Sequence, residues 1–459
     1  MNNRLDTLSA PEPDGASTGI WPASVRREDG ELSIGGISVH ELVEEFGSPL
    51  YVLDEDELRG RCRAWKQAMD EAFADLAGAQ VYYAGKAFLS VAVARAVSEE
   101  GLGVDTCSQV ELMTALAAGV PGSKLGLHGN NKSREEIELA LDAGLAHVVV
   151  DSLSELALVD AIAAERGQVA DVMLRVTTGV HAGGHEYIST AHEDQKFGLS
   201  IAGGAARRAI EEASEAANVR LVGLHSHIGS QIQAVRGFEV AAEALLDLRA
   251  TAIKELGIAL DEVDFGGGYA TRYTVLDDVP PPPSQFAHAL AAVVEANVAQ
   301  TGIAPPHVSI EPGRCIAAPA GVTLYTVGTI KTVQADDGPR RYVSVDGGMS
   351  DNIRPALYGA DYTAALASRQ PSEGVRSRVV GKHCESGDIV VRDVSLSANL
   401  ARGDILAVPA TGAYGRAMAS NYNLLPRPGV VAVRGGKARW IVRREAPADL
   451  LALDVDYEA

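Results

Sequence analysis

Cysteine is scarce, with four in 459 residues (Cys62, Cys107, Cys315 and Cys384), and these lie far apart. None of the close pairs that mark a zinc site or a disulfide framework is present, so reduced thiols are expected. Cations are outnumbered too, 40 Lys and Arg against 61 Asp and Glu, for a net charge of −21. That argues against nucleic acid as a partner, because phosphate contacts need clustered Lys and Arg. An anionic ligand is still possible where local cations and backbone N–H groups face it. No apolar run reaches the length of a membrane span. Residues 1–16 lack the basic-then-apolar order of a secretory signal and belong to an expected disordered tail, 1–25, in a cytoplasmic protein.

What is present is the composition of a globular chain, 46% hydrophobic and 22% charged. The length is too great for one ordinary domain and implies two. From Gln80 onward, short apolar runs alternate with stretches of helical period. The strands are expected at 81–84, 102–105, 124–128, 147–151, 171–176, 221–228, 262–265 and 307–311. Helices are expected at 90–100, 134–143, 154–166 and 238–256, several closed by glycine (Gly101, Gly144, Gly167, Gly257). Eight such units predict an α/β fold, a (β/α)8 TIM-like barrel. After Pro312 the pattern turns to strands (321–333, 341–345, 387–394, 404–409, 430–443), a C-terminal β-barrel or sandwich domain. The expected division is a tail at 1–25, a segment at 26–50 packing with the C-terminal domain, the barrel at 51–312 and the β domain at 313–459. The prolines at 280–283 read as an exposed loop.

In such a barrel the chemistry sits at the C-terminal ends of the strands. Strand one ends in Gly85-Lys86, where the lysine would lose part of its hydration at the barrel mouth. Desolvation favours the neutral amine, the nucleophile of Schiff-base chemistry. Alone, Lys86 could equally end a strand and reach water. Gly266, Gly267 and Gly268 follow strand seven, and Gly313-Arg314 follows strand eight, the two loops where such barrels often bind phosphate. The surroundings of Lys86 are not a P-loop, since Ala87 follows it and Gln80 stands where the first glycine belongs. Glu311 ends strand eight, where a carboxylate can keep a pyridine nitrogen protonated; pairing with Arg314 is the structural alternative. His225 and His227 share one face of strand six, with no Cys or carboxylate at ligand spacing to make a metal site. His227 is the one nearer the mouth.

These residues resemble the fold type III pyridoxal-phosphate decarboxylases, the group containing the diaminopimelate and ornithine decarboxylases. The anchors are Tyr83-Ala84-Gly85-Lys86-Ala87-Phe88, His225-Ser226-His227-Ile228-Gly229-Ser230-Gln231, Gly266 to Gly268 and Glu311-Pro312-Gly313-Arg314. The resemblance implies pyridoxal 5'-phosphate bound as a Schiff base by Lys86, His227 stacked on its ring and Glu311 at the pyridine nitrogen. It also places Ser230, Gly268 and Arg314 at the phosphate. Further on, Asp346-Gly347-Gly348-Met349, Asn352 to Tyr358, His383-Cys384-Glu385-Ser386-Gly387-Asp388 and Gly412-Ala413-Tyr414-Gly415 resemble the diaminopimelate branch, in its actinobacterial form.

By that likeness Arg314, Arg354 and Tyr358 grip the substrate's distal carboxylate and Glu385 its distal ammonium. Tyr414 helps fix cofactor and substrate. Cys384 is the proton donor, reaching the neighbouring subunit of a homodimer. Two arginines suit a carboxylate physically. Without the likeness, Arg354 and Tyr358 could be an i, i+4 pair on a surface helix, and Cys384 an inert core thiol. The implied reaction is decarboxylation of meso-2,6-diaminopimelate to L-lysine, with a related acid in a specialised pathway, or a catalytically silent binding homologue, as the alternatives. Three departures from the family pattern bear on substrate choice. Gln109-Val110 replaces glycines after strand two, where it is expected to crowd the pocket; Ala270 follows Tyr269; and Arg416 follows the Gly-Ala-Tyr motif. The segment Gly179 to Gln195, carrying His181, Gly183, Gly184, His185 and Glu186, is expected to be a mobile lid.

Overall fold

The computed structural model describes residues 19–183, 186–189, 196–336 and 338–457, the side chains of 181–183 and 186–189 excepted. The chain forms two compact units. One comprises Arg61–Ala270 and Pro280–Arg314; the other Met1–Gly60, Thr271–Val279 and Cys315–Ala459.

The first unit is a closed barrel of eight parallel strands. They are Ala79–Ala84, Gly103–Thr106, Leu125–Leu127, His147–Val150, Ala170–Thr177, Val219–His225, Glu262–Asp264 and His307–Ile310. Each pairs with the next, and the eighth returns to the first through Val308 opposite Ala79. Strands two, three and four are buried at every position, which is why they are mostly apolar on both faces, with Asp105, Thr106 and His147 as the polar exceptions. Every expected strand is present, but the sixth ends at His225, so His227 and Ser230 stand on the loop beyond it.

Four successive barrel helices start on a serine. Ser90, Ser108, Ser133 and Ser152 each accept the backbone N–H three residues on, at 3.2–3.3 Å, a cap worth ~1 kcal/mol. The expected glycine stops at 144, 167 and 257 adopt left-handed conformations at the ends of their helices. The proline run is loop through Pro282, and Pro283 opens the helix Pro283–Thr301, where a missing N–H costs nothing; it also marks a passage between the two units, at Val279 and Pro280, rather than lying inside the barrel. Of the expected lid, Val180–Gly183 and Glu186–Ser189 pair as an antiparallel hairpin; residues 184, 185 and 190–195 lie outside the described residues.

The second unit is built on strands. Its main sheet runs Ile389–Ser397, Gly374–Val380, Gly338–Val345, Gly321–Ala335, Leu50–Asp54, Val430–Arg434, Lys437–Val442, with Ile405–Pro409 also pairing with Gly321–Ala335. The strand Leu50–Asp54 lies between Gly321–Ala335 and Val430–Arg434. The passage to the barrel unit therefore falls near Gly60, beyond the boundary expected at 50–51. The tail is also shorter than expected. Ile20, Trp21 and Val25 are fully buried, and Trp21 and Val25 pack with Leu32, Leu50, Val322 and Val431 in the core of this unit. Burying a Trp gives that segment enough apolar contact to be held in place.

Candidate active site

A cavity opens at the C-terminal ends of the barrel strands. Lys86, Asp105, His128, Arg175, His227 and Glu311 line it. Lys86 sits on a short 3-10 turn, Gly85–Ala87, directly after strand one. Its side chain is exposed and lines the cavity, because the turn carries it past the strand end. The glycine before it is required: a Cβ at Gly85 would lie 2.7 Å from the Asp105 carbonyl oxygen.

The loops after strands six, seven and eight interlock. A Cβ at Gly266, Gly267 or Gly268 would lie 2.4, 2.4 and 2.5 Å from the carbonyl oxygens of Ser226, Glu311 and Gly229. Gly266 and Gly268 also hold positive φ, 69° and 114°, which favours glycine on conformational grounds. Gly267 N–H donates to His227 Nδ1 at 3.1 Å, so this nitrogen is an acceptor and the ring proton belongs on Nε2. Gly313 packs so closely on strand one that its Cβ would be 2.8 Å from that of Ala84. Beside it, the Arg314 guanidinium donates to Ser230 Oγ at 2.8 Å. A hydroxyl, a guanidinium and glycine backbone gathered in this way suit a phosphate group.

Below this rim the floor is buried and densely ionisable. Glu311 Oε1 lies 2.7 Å from His225 Nε2 and 3.6 Å from His128 Nε2. Burial alone would raise its pKa, but the two imidazoles outweigh burial and hold the carboxyl well below its usual range. The neighbouring acids move the other way. Burial and then Glu311 push Asp264 up to about 8, and the same two causes raise Asp105 well above the normal carboxylate value. Burial lowers His128 to about 4 and His147 to about 3, and burial followed by Lys86 takes His227 well below its ordinary value.

His225 therefore does meet a carboxylate, Glu311, brought in from strand eight and invisible as local spacing. The triads Asp105, His128, His147 and His128, His225, Glu311 each bring donor atoms within 4.8 Å of one another, a spacing that could also take a cation.

Sequence reading missed several lining residues. Asp105, His128 and Arg175 lie on or just after strands two, three and five, so their position at strand ends was the available signal. Arg175 lies over the Phe197 ring, 4.4 Å from its centroid, and 3.8 Å from Asp151. Gln109 and Val110 do not crowd the cavity. They are exposed on the first turn of the helix Gln109–Ala117, Val110 by 69%, because a helix start points successive side chains in different directions. Glu111 is the residue that turns inward, accepting the Cys107 N–H at 2.8 Å and its thiol at 3.2 Å. Burial and that carboxylate push the Cys107 thiol up to about 12.

The remaining expected residues belong to the β unit. Arg354, only 6% exposed, opens the short helix Arg354–Tyr358. Its guanidinium lies 4.6 Å from the Tyr273 ring centroid and 5.6 Å from that of Tyr362, and donates to the Tyr362 hydroxyl. This is not the surface pair that spacing alone allowed; Tyr358 faces out, 64% exposed. Cys384 and Glu385 are exposed on the loop that follows Gly374–Val380. The Cys384 N–H donates to Asn423 Oδ1 at 3.2 Å, and Gly387 N–H to Glu385 Oε1 at 3.0 Å. Tyr414 has a positive φ of 58°, uncommon for a bulky residue and common where function fixes the backbone. Arg416 is half-buried and does not extend freely into solvent.

Residues 55–318 match the family described as "Pyridoxal-dependent decarboxylase, pyridoxal binding domain". The chain belongs to the pyridoxal-dependent decarboxylases. Among curated members, this decarboxylase is 49% identical to diaminopimelate decarboxylase of Corynebacterium efficiens over 439 residues, 95% of this chain and 94% of that one. It is also 49% identical to the diaminopimelate decarboxylase of Mycobacterium tuberculosis over 443 residues, 95% and 98% of the two chains. Among solved structures, diaminopimelate decarboxylase of M. jannaschii in co-complex with L-lysine superimposes with a TM-score of 0.88. The two are 34% identical, over 94% of this chain and 98% of that one.

Proposed function

We propose that this decarboxylase converts meso-2,6-diaminopimelate to L-lysine and carbon dioxide, in lysine biosynthesis. The observation that carries the reading is the joining of Lys86 and Glu311 in one barrel-mouth cavity of a chain 49% identical to diaminopimelate decarboxylases along nearly its whole length. Pyridoxal phosphate, when bound, supplies an aldehyde for amines and a ring that takes up the electron pair left when carbon dioxide departs. Lys86 is the amine that holds it. Ser230, Gly266, Gly267, Gly268, Gly313 and Arg314 seat its phosphate.

The Glu311 carboxylate would keep a proton on the cofactor's ring nitrogen, and the His227 imidazole would pack against the ring. Arg354, with Arg314 and Tyr358, binds the carboxylate that is kept, and Glu385 the distal ammonium. Tyr414 helps orient both ligands. After carbon dioxide leaves, the substrate α-carbon takes a proton from Cys384 or Lys86. We place Cys384 in the active site of the partner subunit of a homodimer, a reading supported by its exposure within its own chain. Among the described residues no helix is long and apolar enough to cross a membrane; we place the enzyme in the cytoplasm.

The retained Lys86, Glu311 and Cys384 disfavour a silent homologue, and the outward Gln109 and Val110 remove one reason to expect a different acid. Carbon dioxide release from meso-diaminopimelate, L-ornithine, L-arginine and L-lysine at equal concentration tests the reading. Turnover of diaminopimelate at least tenfold above the others is expected; turnover of another acid and none of diaminopimelate refutes it.

A further inference from the structure

Arg354 presents a physical problem. Its guanidinium is buried, yet among the described residues it meets no carboxylate; it meets the two tyrosine rings and hydrogen-bonds the side chains of both Tyr362 and Tyr273. A buried charge without an acid is costly unless its surroundings replace part of its hydration. Two aromatic faces and two phenol oxygens do so, and they occupy only part of the five N–H donors a guanidinium carries. The rings brace each other, with centroids 5.1 Å apart at 70°.

Tyr273 is itself fixed by a tight loop. The Tyr273 and Thr274 N–H groups both donate to Asp277 Oδ2, at 2.9 and 2.8 Å. Arg272 binds the carbonyls of Thr274, Val275 and Asp277 from the other side.

We infer that Tyr273 and Tyr362 are positioning residues that set substrate specificity: they seat the Arg354 guanidinium as a desolvated, acid-free cation whose remaining donors await the distal carboxylate. The inference rests on the assignment of Arg354 under Proposed function and adds what makes that arginine effective. A carboxylate entering such a seat gains a strong charge-assisted bond without displacing a resident acid. An amino acid lacking the distal carboxylate gains nothing from it.

The test uses the holoenzyme and four variants, Tyr273→Leu, Tyr273→Phe, Tyr362→Phe and Arg354→Met. Two quantities are read for each, the KM for meso-diaminopimelate and the inhibition constant of L-ornithine, which has no distal carboxylate. Losing the Tyr273 face should raise the KM about 3- to 30-fold, with kcat little changed and the ornithine constant unmoved. Tyr273→Phe, which keeps the face but removes the phenol oxygen, should restore only part of the loss. Tyr362→Phe, which removes a bond to a charged group, should raise the KM about 10-fold. A merely structural role would instead shift both constants together or lower kcat.

If Arg354→Met raises the KM strongly while Tyr273→Leu and Tyr362→Phe do not, the aromatic seat is wrong and the arginine assignment stands. If Arg354→Met leaves the KM alone, the arginine assignment falls and the seat with it.

Discussion

Gly268→Ala probes the phosphate cradle through one added methyl. A Cβ there would stand 2.5 Å from the Gly229 carbonyl oxygen and 2.9 Å from Ile232 Cδ1. The Ile232 terminus can swing aside. The Gly229 carbonyl cannot, because it is backbone, and relieving the overlap displaces Ser230, the partner of Arg314. Over-packing of this kind costs ~1–3 kcal/mol, and forcing alanine to the φ of 114° at this site adds ~1–3 kcal/mol.

If half of that total falls on ligand binding, the cofactor dissociation constant rises roughly 5- to 150-fold. Titration of apoenzyme with pyridoxal phosphate, followed by absorbance, measures it. Gly257→Ala is the control. Its φ is also positive, 67°, but nothing lies within 4 Å of the added Cβ, so it should cost ~1 kcal/mol of stability and leave cofactor affinity unchanged. Wild-type affinity in Gly268→Ala, or equal weakening in both variants, would refute the cradle.

Lys86→Ala is expected to abolish the cofactor absorbance of the purified enzyme and lower carbon dioxide release by ~10³-fold or more; a coloured, active variant would exclude Lys86 as the anchor. Cys384→Ala should slow product formation by ~10²-fold or more while cofactor affinity stays within twofold, and loss of cofactor instead would mean that Cys384 is misplaced. Burial alone would raise the pKa of Glu445, but the ion pair and hydrogen bonds from Arg427, with one from Asn421, bring it down to about 2. A depressed carboxylate stabilises the fold fully above its unfolded pKa of ~4.5 and loses that contribution as pH falls toward about 2. Arg427→Met should therefore cost ~1 kcal/mol at pH 7 and nearly nothing at pH 2, seen as a melting-temperature difference that closes on acidification.

The barrel was legible because its strands are buried on both faces and its helices carry local stop signals, so residues such as Val148, Val149 and Val150 announce a strand without tertiary context. The strand Gly374–Val380 was not. Its inward positions are Ser377 and Val379, with Val375 turned outward, so no apolar alternation marks it. What makes buried Ser377 acceptable is the distant Arg341, whose Nε donates to its hydroxyl at 2.9 Å, and no local pattern contains that bond. The site divides in the same way. Lys86, the triple glycine and Glu311 stand at strand ends, where position gives meaning. His128 and Asp105 acquire theirs only when closure of the barrel sets them beside Glu311. The burial of Arg354 depends on Tyr273, 81 positions earlier in the chain, and was equally out of reach.

That closure also decides how charge is shared across the floor. Asp105, Asp264 and Glu311 are three buried carboxyls whose mutual repulsion forbids full ionisation in a low-dielectric interior. The chain resolves the competition by placing His225 and His128 against Glu311, with His225 at 2.7 Å, while Asp264 is raised to about 8 and Asp105 is raised as well. Among these acids Glu311 is thus the one drawn toward the anion, while burial draws His128, His147 and His227 toward the neutral imidazole. On the proposed reading, such an anion would suit a protonated ring nitrogen of the cofactor. A second ionised carboxylate would hold that positive charge more tightly but also resist the flow of electrons toward the ring, so raising Asp264 and Asp105 would favour the electron sink in the same direction as lowering Glu311.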